Sequence, residues 1–281
     1  MREIPSYLIE EKVKELFIRS NYTLSDGACK CISDARKKES DPLARSVLCR
    51  LEDNLACARE LDIPICQDTG MAVLFAEIGC DVHITGDDFT CAVNAGVRRA
   101  YTEGYMRCSV VGDPLYDRKN TNDNTPAVIY TELVKGDKIR LTALPKGFGS
   151  ENMSATKMFT PAATEDDIVA FVVDTVRRAG SNPCPPIMVG VGIGGTFDYS
   201  AVLSKKALAR DPGARHPDPR YAALEEMMLE QINKLGIGPQ GFGGDTTALA
   251  VNIEKFPTHI AGLPVAVNIC CHVMRHLDAI I

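Results

Sequence analysis

The apolar residues of this chain recur in two different periods, and the order of those periods limits the folds open to it. Positions 9–18, the stretch from Cys29 and positions 43–61 carry apolar residues at helical spacing, so roughly the first 62 residues read as helices. Ser25-Asp26 precedes the second stretch and Ser40-Asp41-Pro42 the third. Both are start signals, and Pro42 suits a first helical turn, where a missing N–H is no loss. After Gly70 the segments shorten to strand length at 71–78 and 82–84, and a helix follows over 89–103. Strand-like 127–133 and 138–144 flank Gly136-Asp137, which reads as a hairpin turn. Thr164-Glu165-Asp166-Asp167 approximates a capping box before an amphipathic helix ending at Gly180. A strand at 187–193, helices at 197–209 and 221–234, and strands at 248–253 and 264–269 complete the pattern. With no repeat, charge block or low-complexity linker, the reading is one mixed α/β domain over 1–281, helical at its N-terminal end.

The apolar runs also exclude partners. The strongest, at 187–193 and 263–271, fall short of the roughly 20 residues that cross a bilayer and are broken by Gly, Pro or Asn. Net charge is −6 with no Lys/Arg-rich run, so neither nucleic acid nor an anionic membrane finds the basic patch it needs. The first residues, Met1-Arg2-Glu3-Ile4-Pro5, lack the apolar core of a secretory signal, and the expectation is a cytoplasmic protein with reduced thiols.

Reduced thiols make the cysteines informative. There are eleven, an odd number in a long chain, which argues against a disulfide framework. Most suit inert packing. Three have turn formers as neighbours: Cys66 in Pro64-Ile65-Cys66-Gln67-Asp68-Thr69-Gly70, Cys184 in Asn182-Pro183-Cys184-Pro185-Pro186, and Cys271 in Asn268-Ile269-Cys270-Cys271-His272. Prolines hold the backbone in extended or turn geometry that aims a thiol. Structural zinc pairs its ligands closely in sequence, unlike these. An iron-sulfur cluster bound by three thiolates would keep one iron open as a Lewis acid.

Cys66-Gln67-Asp68-Thr69-Gly70, Asp113-Pro114-Leu115, Asn120-Thr121-Asn122-Asp123-Asn124-Thr125-Pro126 and Pro145-Lys146-Gly147-Phe148-Gly149-Ser150-Glu151-Asn152 occur in one order along the chain. Cys184-Pro185-Pro186, Gly236-Ile237-Gly238-Pro239-Gln240-Gly241 and His259-Ile260-Ala261-Gly262-Leu263-Pro264 follow. Together they resemble the alpha subunit of the two-chain iron-sulfur (class I) fumarate hydratases, over essentially the whole chain. The resemblance implies a cluster-binding domain with a 4Fe-4S cluster on Cys66, Cys184 and Cys271. It places Gln67, Asp68, Arg107, Gly149 and His259 around fumarate or (S)-malate, with Asp68 and His259 as the catalytic pair. The family's last cysteine lies twelve residues beyond its histidine, which selects Cys271 over Cys270 when counted from His259. A separate beta subunit and a higher oligomer are implied as well.

The chemistry of these residue types agrees. Arg107 can clamp a carboxylate with two parallel N–H donors, and Gly149 allows close backbone approach. His259 can donate to a substrate oxygen, and Asp68 can take up a proton or simply form an Asx turn. Two other readings remain open: an L-tartrate dehydratase alpha subunit, set behind fumarate hydratase on the 113–115 and 122–126 stretches, and a non-catalytic iron-sulfur scaffold or sensor. Gly190-Val191-Gly192-Ile193-Gly194-Gly195 fits a dinucleotide loop but lacks an acidic residue on a following strand, and tight strand-to-helix packing is the favoured use of its glycines.

Overall fold

In the computed structural model, which describes residues 1–281, the chain is mixed α/β with its helices first. A short strand β1 (Arg2–Pro5) precedes α1 (Ser6–Tyr22), α2 (Asp26–Lys38) and α3 (Pro42–Leu61). The Ser25 side chain accepts from the Ala28 N–H at 3.2 Å, and Pro42 is the first residue of α3. Then come β2 (Met71–Gly79), β3 (Val82–Thr85), α4 (Phe89–Glu103), β4 (Val128–Val134) and β5 (Ile139–Lys146). The remaining elements are α5 (Phe148–Glu151), β6 (Ala155–Phe159), α6 (Glu165–Ala179), β7 (Ile187–Gly195), α7 (Phe197–Ala207), α8 (Pro219–Asn233), β8 (Ala248–Thr258), β9 (Leu263–Cys270) and β10 (Leu277–Ile280). No helix is long and apolar enough to cross a membrane.

Two compact units emerge, neither continuous in sequence. The first comprises Met1–Leu24, Leu55–Phe148 and Arg275–Ile281, and the second Ser25–Asn54 and Gly149–Met274. The chain passes from unit to unit four times, and two of these crossings lie inside α3 and α5, where a flexible, polar linker composition would break the helix.

In the first unit a sheet of order β10-β5-β2-β4 packs its apolar face against α1 and α4. Ile9, Val13, Leu16 and Phe17 of α1 meet Val93, Val97 and Tyr101 of α4 over Leu74, Ala76 and Leu141, all buried. The expected hairpin between β4 and β5 is not formed, because β2 lies between them, parallel to β4 and antiparallel to β5. The Gly136 turn instead bonds to the end of β2, with the Gly79 N–H on Lys138 O at 2.9 Å and the Asp81 N–H on Gly136 O at 2.9 Å. Those bonds satisfy the strand-end donors that a β4–β5 turn would have left to water.

The second unit is built on a sheet of order β6-β9-β7-β8. Its central strand β7 is parallel to β8, antiparallel to β9 and buried on both faces. The period-2 alternation of β7 sends Val189, Val191 and Ile193 into one apolar cluster with Val172 and Val176 of α6 and Met228 of α8. Gly190 and Gly192 fall on the opposite face, where the backbone of α7 takes the space a side chain would need. A Cβ on Gly190 would lie 2.0 Å from Ser204 O, and one on Gly192 2.0 Å from Ser200 O. Thr164 caps α6 in a full capping box with Asp167.

Gly190→Ala therefore forces α7 away from the sheet. Chemical denaturation should show a loss of about 2 kcal/mol or more, the scale of overpacking a closed interior. Gly262→Ala has open space around it and should stay within about 0.5 kcal/mol of wild type.

Candidate functional site

The loop of residues 66–70 joins α3 to β2 in the first unit and goes from half-buried Cys66 and exposed Gln67 to fully buried Thr69 and Gly70. Its turn is made by Asp68, whose carboxylate accepts the Gly70 N–H at 3.0 Å through one oxygen and the Phe148 N–H at 3.2 Å through the other. This is the Asx-turn geometry, extended by a second backbone donor that fixes the carboxylate plane. Gly70 has φ +79°, and a Cβ there would meet the Lys146 backbone nitrogen at 2.7 Å. Only glycine satisfies both conditions.

Arg107 belongs to the same unit and is tied to this loop by its main chain. The Thr69 hydroxyl accepts from the Arg107 N–H at 3.0 Å and lies 3.2 Å from the Arg107 carbonyl. The Arg107 side chain is exposed. One loop and one adjacent segment thus carry Cys66, Gln67, Asp68 and Arg107 together, with a cation and an amide turned to solvent and a carboxylate held by backbone donors.

Cys184 and Cys271 lie in the second unit. Cys184 is exposed, whereas Pro183, Pro185 and Pro186 around it are buried, so the prolines anchor the loop and the thiol is its outward part. Its φ of +54° is uncommon for a residue with a Cβ and marks a backbone held by its surroundings. Two side chains do the holding. Gln240 donates to Pro185 O at 2.7 Å and lies 3.3 Å from His272 Nδ1, which is itself 3.0 Å from Cys184 O. His272 directly follows Cys271, so the two cysteine loops of this unit are laced together by an imidazole and a carboxamide. Cys270 is buried at the end of β9, opposite Met188, and Cys271 is half-buried one residue past the strand.

His259 sits exposed at the tip of the β8–β9 connection. Its Nδ1 accepts the Ala261 N–H at 3.1 Å, so in the neutral ring the proton is on Nε2, which becomes the available donor. Gly149, in α5, has only Asn182 O near a hypothetical Cβ, at 3.7 Å, an ordinary contact. Nothing inside the chain requires glycine at that position.

The donor set suits a thiolate-bound cluster. All eleven cysteines are reduced, and soft sulfur ligands favour iron-sulfur centres or zinc. No three His, Cys, Asp or Glu side chains gather as a metal site; Cys66 belongs to the first unit, and Cys184 and Cys271 to the second. Sequence reasoning missed His272 as a support for Cys184, and Gln240 entered only as part of a motif. Adjacency of His272 to Cys271 was the one available signal.

The comparisons with known proteins agree with this composition. The family model described as Fumarate hydratase (Fumerase) matches residues 10–280. A Methanocaldococcus jannaschii protein provisionally named L(+)-tartrate dehydratase subunit alpha is 40% identical over 267 residues, 94% of this chain and 94% of its own. The Escherichia coli (strain K12) L(+)-tartrate dehydratase subunit alpha is 30% identical over 246 residues, 87% of this chain and 81% of its own.

The glycine geometries separate positions the fold requires from one it does not. Gly70→Ala should destabilise the chain by more than about 2 kcal/mol in chemical denaturation, through positive φ and collision with backbone. Gly149→Ala meets only an ordinary contact and should leave the melting temperature within about 1 °C.

Proposed function

Because the chain belongs to the fumarate hydratase (Fumerase) family, we propose that it is the alpha subunit of a two-chain iron-sulfur hydro-lyase acting on a four-carbon hydroxydicarboxylate, with L(+)-tartrate preferred to (S)-malate. Fumarate hydratases and tartrate dehydratases share one reaction type, addition or removal of water across a carbon–carbon bond between two carboxylates. The preference for tartrate rests on the names of the relatives, which include a 40% identical protein. It reverses the fumarate expectation, and the structure supplies a reason to discount the residues behind that expectation. Asp113 accepts from the Leu115 N–H at 2.9 Å and from the Tyr116 N–H, Asp123 accepts from the Thr125 N–H at 3.0 Å, and Asn124 is buried, accepting from Ser109 N–H at 2.7 Å. These side chains build loops, a task that any substrate in the family leaves unchanged. Fumarate and (S)-malate remain the second reading, on the family's own description.

In this reading Cys66, Cys184 and Cys271 hold a 4Fe-4S cluster, which supplies a Lewis-acidic iron when bound. The chain's own side chains do the rest. Arg107 clamps one substrate carboxylate with its exposed guanidinium, and Gln67 donates an amide hydrogen bond beside it. Gly149 lets the substrate come against the backbone. Asp68, held by the Gly70 and Phe148 N–H groups, keeps its orientation while it takes up the proton released from carbon. His259 offers Nε2–H to the departing hydroxyl oxygen. A beta subunit completes the pocket and excludes water, which strengthens every carboxylate contact, and the pairs assemble into a symmetric oligomer.

Anaerobic reconstitution of the chain with its beta subunit tests this directly. The preparation should be brown with broad visible absorbance, and serine at 66, 184 or 271 should strip the iron, whereas Cys270→Ser should retain it. Initial rates should favour L(+)-tartrate over (S)-malate in kcat/KM by about 10,000-fold, the scale for a site that hydrogen-bonds an additional hydroxyl. The opposite preference selects the fumarate reading. Stoichiometric zinc without iron contradicts the cluster, and a stable cluster with no turnover on any of these acids identifies a scaffold or sensor.

A further inference from the structure

Beneath the loop of residues 66–70 lie four polar side chains that the proposed chemistry does not use. Asn21, Tyr101, Asn124 and Arg275 are 1%, 1%, 0% and 2% exposed. Arg275 Nη1 donates to Asp68 O at 2.6 Å and to Asn21 Oδ1 at 2.8 Å. The Tyr101 hydroxyl lies 3.0 Å from Thr69 O and 2.9 Å from Gly70 O, and Asn124 Nδ2 donates to Gly70 O at 3.1 Å. A phenol has a single proton, so with Asn124 serving Gly70 the Tyr101 proton is available for Thr69. Three consecutive carbonyls, those of Asp68, Thr69 and Gly70, therefore each have their own buried donor.

The choice of an arginine is the informative part. Both of its acceptors are neutral, and its Nε is buried without a hydrogen-bond partner. Simple cohesion would be better served by an apolar side chain, because removing a guanidinium from water is costly unless something uses it. The guanidinium also lies beside the Asp68 side chain. A hypothetical Cβ on Gly147 would sit 3.0 Å from Asp68 Oδ2 and 3.4 Å from Arg275 Nη2. Both groups thus border the small space that this glycine leaves open. Arg275 comes four residues after Cys271, so the segment that ends one cysteine loop goes on to fasten the other.

We propose that Arg275, with Tyr101 as its neutral counterpart, is a positioning residue that locks the loop carrying Cys66, Gln67 and Asp68 by its backbone carbonyls. What the loop presents rests on the hydro-lyase reading, whereas the lock is a property of this chain alone. It holds the Cys66 thiol and the Asp68 carboxylate in one orientation through the loop's carbonyls, whereas the Arg107 main chain meets only the Thr69 hydroxyl.

Two measurements on the full chain test the lock. Amide hydrogen exchange of the protein without cluster should accelerate at residues 65–71 by about tenfold or more in Arg275→Met, and less in Arg275→Lys and Tyr101→Phe, with the other segments little changed. In the reconstituted two-chain enzyme, Arg275→Met should lose iron to a chelator faster. Its kcat should fall by about 100-fold, the scale of a misplaced reacting group, with a smaller change in KM and partial recovery in Arg275→Lys. Exchange at 65–71 equal to wild type, or raised uniformly along the chain, overturns the lock. Should Arg275→Met fail to fold, the near-isosteric Tyr101→Phe decides by the same local exchange. A wild-type enzyme inactive on tartrate and malate would defeat the hydro-lyase reading, while the exchange result still decides the lock.

Discussion

A buried backbone carbonyl has to find a donor, and the architecture of the first unit follows from that demand at residues 68–70. The loop cannot be solvated, since Thr69 and Gly70 are fully covered, and it cannot join a sheet ladder before β2 begins at Met71. Donors must come from side chains carried by other elements: Tyr101 from α4, Asn124 from the loop before β4, and Arg275 from the segment before β10, with Asn21 of α1 accepting from Arg275 and so aiming it. The apolar packing of α1 on α4 is what brings Asn21 and Tyr101 to the same place. Burial pushes the Tyr101 phenol up, so its hydroxyl stays a neutral donor across the whole range in which a protein is stable.

The second unit meets the same demand with the opposite polarity. Glu39, wholly buried, accepts the Asp245 N–H at 2.8 Å and the Thr246 N–H at 3.0 Å, and so fastens the glycine-rich stretch that follows Gln240. Gln240 then reaches Pro185 O, and His272 reaches Cys184 O. In both units the thiol-bearing turn is held by residues distant in sequence, and the cysteine contributes little to its own placement. The Cys271 thiol adds only a long contact, 3.8 Å to Val273 O.

That division also explains which parts were legible beforehand. Helices announced themselves through caps and period: Ser25, Pro42 and Thr164 all stand at the starts expected of them, and 89–103 matches α4 end to end. Strands with apolar runs, such as β2 and β7, were equally plain. The short strands β1, β6 and β10 were not, because four or five residues of mixed polarity acquire strand character only from the partner they pair with. Sheet order was invisible for the same reason, hence the false hairpin at Gly136. Among the candidate site residues, Cys66 and Cys184 stand out in the sequence by their neighbouring prolines. Arg275, Tyr101 and Asn124 resemble surface or core residues of any helix or loop, and only the consecutive carbonyls they serve distinguish them.

Glycine shows most clearly why a motif must be read through its neighbours. Gly190 and Gly192 satisfy a dinucleotide-loop pattern, yet the atoms that would collide with their side chains belong to α7 of this same chain. The pattern is accounted for by helix packing alone. Gly70 is similarly explained from within, by Lys146 and a positive φ. Gly149 is the exception, with 3.7 Å to its nearest neighbour and a backbone outside the left-handed region. An internally required glycine is recognised by what already occupies its missing Cβ. One whose space is open is free to serve an outside group, and Gly149 has that freedom at the start of α5, one residue after Asp68's own backbone donor, Phe148.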